Sequence, residues 1–104
     1  MSTAPRVPSD LLREISPGTM AGFRASREAI ATAGPLSKET LEMIMLGSFV
    51  TAGYEAAVKI HAKRLFDMAV PREAIHQVAL ATFGATTTIS GVSRALQWIE
   101  DALA

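Results

Sequence analysis

Leu36-Ser37-Lys38-Glu39-Thr40-Leu41-Glu42-Met43-Ile44-Met45-Leu46-Gly47-Ser48-Phe49-Val50-Thr51-Ala52-Gly53-Tyr54-Glu55-Ala56-Ala57-Val58-Lys59-Ile60-His61 decides the fold. Ser37 is a helix N-cap residue, and Glu39 follows it where the helix end is positive. From Lys38 to Ala52 the chain is apolar nearly all round, with Leu41, Ile44, Met45, Phe49 and Ala52 on one broad side and Met43, Leu46 and Val50 on much of the rest. Gly53 breaks this helix from a second, Tyr54 to Ala69. That second helix is amphipathic: Tyr54, Ala57, Val58, His61, Leu65 and Met68 fall within a stripe about 100° wide. Its other side carries Glu55, Lys59, Lys63 and Asp67.

Outward from this pair the chain reads as more helices punctuated by Pro and Gly. Ser9 caps a short helix through Ile15, which Ser16-Pro17-Gly18 ends. A helix from about Thr19 to Ala33 stops at Gly34-Pro35, read as a left-handed cap followed by a residue that cannot continue the helix. Val70-Pro71 opens another, with Pro in the first turn and Glu73 close behind. Gly84 and Thr86-Thr87-Thr88 mark the next break. The last helix carries Ile89, Val92, Leu96, Ile99 and Leu103, an apolar seam at 3–4 spacing. No segment alternates with period two, and no repeat is present. The expected fold is all-α, about six helices in a single domain over residues 1–104, with a flexible start at residues 1–8.

Composition narrows the function classes. The chain has 104 residues and no Cys, and ten Lys+Arg balance ten Asp+Glu. Without Cys there is no disulfide, no thiolate metal site and no thiol redox cycle. A nucleic-acid partner is not expected, because a basic excess drives phosphate binding and none exists here. No apolar run approaches the roughly 20 residues that span a bilayer, so no membrane partner is expected. Met1 to Pro8 lacks the apolar core of a signal peptide, and a cytoplasmic protein is the expectation. A core this small gains from association, and a helix apolar on all sides suggests burial against another subunit.

Two side chains stand against their surroundings. Glu42 neighbours Leu46 and Phe49 on the helical wheel, about 40° and 20° away. It either points to solvent beside the helix N-terminus or needs a polar partner. His61 lies in the middle of the apolar stripe, where a core histidine with one hydrogen bond is the plain reading and a proton shuttle the functional one. Tyr54 lies two turns earlier on that face. Glu55 is about 120° round from His61 and does not form a ready-made pair with it. Arg64 borders the stripe and could hold a carboxylate or simply be solvated. His76, near Leu80 and Phe83, reads as an interface or surface residue. No metal-ligand spacing is present. Glu42 is expected to reach the Tyr54–His61 face across the Gly53 junction, since each needs what the other offers.

Gly34-Pro35-Leu36-Ser37-Lys38-Glu39-Thr40-Leu41-Glu42-Met43-Ile44 and Gly53-Tyr54-Glu55-Ala56-Ala57-Val58-Lys59-Ile60-His61 resemble the carboxymuconolactone decarboxylase family, which includes the AhpD-like alkylhydroperoxidases. The similarity covers roughly residues 20 to 103, with Val70-Pro71-Arg72-Glu73-Ala74-Ile75 resembling the start of the family's following helix. It implies an all-α bundle forming homo-trimers or homo-hexamers, with sites near subunit contacts. In the AhpD-like branch the Glu corresponds to Glu42 and the His to His61, while the two Cys positions fall on Tyr54 and Ala57. The peroxidase centre is therefore missing. In the decarboxylase branch the Glu after the Gly corresponds to Glu55, and the later Ala-Gly-Leu-Pro-like turn is replaced by Ala85-Thr86-Thr87-Thr88.

The resemblance implies acid–base decarboxylation, or a related proton transfer, on a small carboxylated lactone or similar acid. His61, Glu42, Tyr54 and Glu55 would be the catalytic residues, Arg64 the substrate-binding one, and no cofactor or metal is expected. The alternative is a non-catalytic small-molecule-binding or assembly protein that kept the fold and lost the Cys pair. Peroxidase chemistry with another reductant is the third reading.

Overall fold

A computed structural model describes residues 9–104. The expected flexible start lies outside the described residues. Among them the chain is all-helical, with six helices: α1 Ser9–Ile15, α2 Pro17–Ala31, α3 Lys38–Ala52, α4 Glu55–Asp67, α5 Arg72–Leu80 and α6 Ile89–Leu103. No described helix is long and apolar enough to cross a membrane. The helices fall into two compact units, one holding α1 and α2 and the other, Leu36–Ala104, holding α3 to α6.

In the first unit α1 packs on α2. Only Ser16 separates them, because Pro17 starts α2 instead of ending α1. Proline suits a first helical turn, where its missing N–H has no partner to lose. The left-handed cap expected at Gly34 is not formed. Residue Thr32 caps α2 with φ −114°; its N–H donates to the Ala29 carbonyl, and the Ala33 N–H donates to that of Ile30. The helix thus ends before Gly34, whose φ is not positive.

The second unit is built around α3, α4, α5 and α6. Ser37 accepts the Thr40 N–H and so caps α3. At the far end Gly53 takes φ 74°, a left-handed geometry that glycine adopts without steric cost, and its N–H satisfies the Phe49 and Val50 carbonyls. Helix α4 starts one residue later than the stripe suggests, with Tyr54 as its N-cap, and ends at Asp67. Its C-terminal turn closes on Ala69, at φ 66° the only non-glycine residue with positive φ among those described. Thr88 caps α6 by accepting the Gly91 N–H. Between α5 and α6 the Thr82–Thr87 turn is pinned by a Phe83–Thr87 bridge and a hydroxyl pair, Thr82 to Thr87 at 2.9 Å.

The core of this unit is one cluster. Leu46, Val58, Leu65, Ile75 and Ile99 are its largest fully buried side chains, and Phe49, Val78 and Trp98 pack against it half-buried. Each fully buried aliphatic contributes about 1.5–3 kcal/mol of transfer free energy. Helix α3 buries only Leu46 and Val50 of its many apolar residues, and leaves Ile44 54% exposed.

Candidate functional site

The α3–α4 hairpin brings two of the sequence-predicted residues together. Glu42 lies eleven residues before Gly53 and His61 eight after it, so the turn folds the two helices face to face and sets one side chain against the other. His61 Nδ1 lies 2.7 Å from Glu42 Oε2. An ionised carboxylate can only accept, so the Nδ1–H donates and the Nε2 edge of the ring is left for another partner. Among the described residues Nε2 has none. The pair is largely buried: 14% of the His61 side chain and 15% of the Glu42 side chain reach solvent. A direct bond thus meets the need that each side chain has in an apolar setting. Among the described residues no buried side-chain N or O lacks a partner.

Phe49 completes the wall. Its ring centroid is 4.8 Å from that of His61, with the planes tilted by 38°. Sequence reasoning placed Phe49 beside Glu42 on α3 but missed its contact with His61. The signal was available, since Phe49 and Glu42 share a face and both must meet whatever α4 presents. Arg64 stands one turn beyond His61, with Nη1 3.8 Å from Glu42 Oε1 and its side chain 58% exposed. At that distance it attracts the carboxylate without hydrogen-bonding it, and its donors remain open to solvent.

The other two candidates are not part of this group. Tyr54 is 60% exposed, with its ring centroid 6.4 Å from that of Phe49, and among the described residues its hydroxyl does not bridge Glu42 and His61. The cause is local: as N-cap residue Tyr54 has extended dihedrals, φ −91° and ψ 94°, which turn its side chain off the helical stripe. Glu55 bonds Lys59 at 2.8 Å on the outer face of α4. That hydrogen bond, foremost, raises the Lys59 pKa. Glu42 is therefore the carboxylate that His61 pairs with.

A second group has the same three residue types. His76 Nε2 and Arg72 Nη1 both meet Glu100, the latter at 3.1 Å, and Arg72 Nη2 donates to the Leu103 carbonyl at 3.1 Å. This group ties the start of α5 to the end of α6. The hydrogen bond from His76, helped by Arg72, holds the Glu100 carboxyl below its ordinary value. No group of three or more His, Asp or Glu side chains that could hold a metal lies among the described residues.

A cleft of about 350 Å³ opens between α3, α5 and the turn after α5, lined by Thr40, Met43, Ile44, Gly47, Val78 and Thr82 among others. It is not the mouth of the His61 site. On the α3 wheel its residues centre about 150° away from Glu42, so the helix separates the two. The cleft is apolar, open and uncharged, whereas the chemistry lies on the α4 side. Compared with known protein families, curated proteins and solved structures, the chain gives no match.

Proposed function

We propose that the chain is a carboxymuconolactone decarboxylase-like protein of the AhpD-like bundle type, with His61 as acid or base. The observation that carries this reading is the 2.7 Å contact between Glu42 and His61. Glu42 fixes the ring and its tautomer, and stabilises the imidazolium that forms when Nε2 takes a proton. In a decarboxylation the C–C bond to the carboxylate breaks, carbon dioxide leaves, and the bonding electrons stay on the neighbouring carbon. That carbon then takes a proton from Nε2 of the imidazolium, a proton that the ring, bare at Nε2 when neutral, has first drawn from solvent water. Arg64 holds the departing carboxylate, which its exposed guanidinium can bind in two-pronged fashion. The substrate class is a small carboxylated lactone or similar acid, and the setting is the cytoplasm. Thiol-dependent peroxide reduction is excluded as the activity, because the chain has no Cys.

The subunits assemble as a homo-trimer or homo-hexamer. In support, α3 is a 15-residue helix rich in large apolar side chains of which one chain buries only Leu46 and Val50.

One observation favours the alternative of a non-catalytic binding or assembly protein: Glu42 and His61 are both about 85% covered within a single chain, as a pair that merely fastens two helices would be. The experiment that decides is carbon dioxide release from a panel of small carboxylated lactones, run with the wild type, His61→Gln and Arg64→Gln. The catalytic reading expects turnover that His61→Gln abolishes and Arg64→Gln weakens mainly through KM. No turnover of any panel member, or turnover unchanged in His61→Gln, leaves the assembly reading in its place.

A further inference from the structure

Glu42 holds the His61 ring by one atom. The bond from Nδ1–H to Oε2 leaves the imidazole free to tilt about that bond, and the torsion that sets the ring plane is broad. The bond alone does not fix the plane in which Nε2 points. Phe49 is in place to do so. Its ring centroid is 4.8 Å from that of His61, at the short end of the range for touching aromatic rings, and a tilt of 38° is nearer to face-on than to edge-on. Glu42 and Phe49 are seven residues apart, two turns along one face of α3. One helix therefore supplies both the acceptor for Nδ1 and the wall for the ring. Phe49 is itself held twice. Its side chain packs half-buried against the core of its unit. Its carbonyl accepts the Gly53 N–H at 2.9 Å and the Tyr54 N–H at 3.1 Å, so the turn that joins α3 to α4 closes on this residue.

We infer that Phe49 is a positioning residue of this site: its ring fixes the plane of the His61 imidazole, keeps water from the bond to Glu42, and so aims Nε2 at whatever takes or gives the proton. The phenyl ring has no proton to exchange, so it acts on the chemistry only through His61. An aliphatic side chain in its place would fill much of the same core space but offer no flat face to the imidazole. A histidine that only fastens two helices does without such a wall. His76 bonds Glu100 with no aromatic ring against it among the described residues. For its effect on rate the inference rests on the catalytic reading above; for its effect on the ring it rests on the geometry of Glu42, Phe49 and His61 alone.

The test compares the full chain with Phe49→Leu, which removes the flat face, and Phe49→Tyr, which keeps it, with circular dichroism as the check on folding. If Phe49→Leu loses its helical signal, Phe49→Met takes its place, because a flexible methionine fills irregular core space. The ¹⁵N shifts of the His61 ring are read at a pH where it is neutral. The ratio of the Nδ1–H form to the Nε2–H form should fall about two- to tenfold in Phe49→Leu, the worth of one aromatic pair, and stay near the wild-type value in Phe49→Tyr. On a carboxylated lactone that the wild type turns over, Phe49→Leu should lower kcat about ten- to a hundredfold with KM nearly unchanged, and Phe49→Tyr should restore most of that rate. A folded Phe49→Leu or Phe49→Met with the wild-type tautomer ratio overturns the inference and leaves Phe49 as core packing alone. An equal change in Phe49→Tyr and Phe49→Leu overturns it too, since the flat face is then not what matters. Without turnover in the wild type the catalytic reading fails, and the tautomer ratio by itself decides whether Phe49 sets the ring. With turnover, an unchanged kcat in Phe49→Leu overturns its part in the reaction.

Discussion

Glu42–His61–Arg64 and Glu100–His76–Arg72 are the same three residue types in two settings. In the first, His61 and Glu42 are 14% and 15% exposed and Arg64 is 58% exposed, 3.8 Å from its carboxylate. In the second, His76 and Glu100 are 29% and 47% exposed, and both prongs of Arg72 are bound, to Glu100 and to the Leu103 carbonyl. The second group spends its arginine on tying helix ends together. The first leaves an arginine and a histidine nitrogen open beside a shielded carboxylate. Residue type does not separate a clamp from a candidate site here; burial and unused hydrogen-bonding capacity do.

The sharpest way to break the comparison is to remove one member from each group. His61→Leu should lower stability by about 1–3 kcal/mol, because Glu42 loses its hydrogen bond where little water reaches it. Chemical denaturation measures this, and the double variant Glu42→Leu/His61→Leu should be much less destabilised than the two single losses added together. His76→Gln, in the exposed group, should move the midpoint far less. Equal losses in the two groups would erase the distinction.

Acid sharpens the contrast from the other side. The Glu100 carboxyl is held below its ordinary value of 4.5, first by the hydrogen bond from His76 and then by Arg72, against the opposing effect of desolvation. A depressed carboxyl stabilises the fold above its unfolded value, and that contribution disappears as pH falls through the folded one. The clamp should therefore hold at neutral pH and loosen below about pH 4.5. Glu100→Gln should flatten that acid limb in thermal melts while leaving the limb above pH 6 nearly parallel to the wild type.

The smallest expected effect lies at the end of α4. Ala69 takes the left-handed geometry that Gly53 takes at the end of α3, φ 66° against 74°. Ala69→Gly should stabilise the chain by up to about 1 kcal/mol, the relief of steric strain being partly offset by a freer unfolded chain. A loss of stability would show that Ala69 contributes packing that outweighs its strain.

These cases also show what the sequence makes legible. Ser37, Gly53 and Thr88 mark helix ends by local chemistry, and each does so in the structure. The stripe of α4 and the lone carboxylate of α3 were enough to expect Glu42 against His61, because two poorly solvated polar groups facing one junction have few other partners. Tyr54 was misplaced because a wheel assumes helical dihedrals, and an N-cap residue does not have them. Gly34 reads as a cap from its type alone, yet α2 ends too early to use it. The Arg72–Glu100 contact spans 28 positions and follows from how α5 packs on α6, which no local pattern contains. The side of α3 that carries the cleft was illegible for the same reason, since a helix apolar all round does not say which of its faces the chain will cover.

The most direct measurement is the tautomer of His61, read from the ¹⁵N shifts and couplings of its ring nitrogens in the full-length protein at a pH where the ring is neutral. With Glu42 accepting at 2.7 Å, the proton is expected on Nδ1 and the bare lone pair on Nε2. Glu42→Gln should weaken that preference. A neutral His61 protonated on Nε2 in the wild type would contradict the pairing, and with it the assignment of Nε2 as the nitrogen that takes and gives the proton.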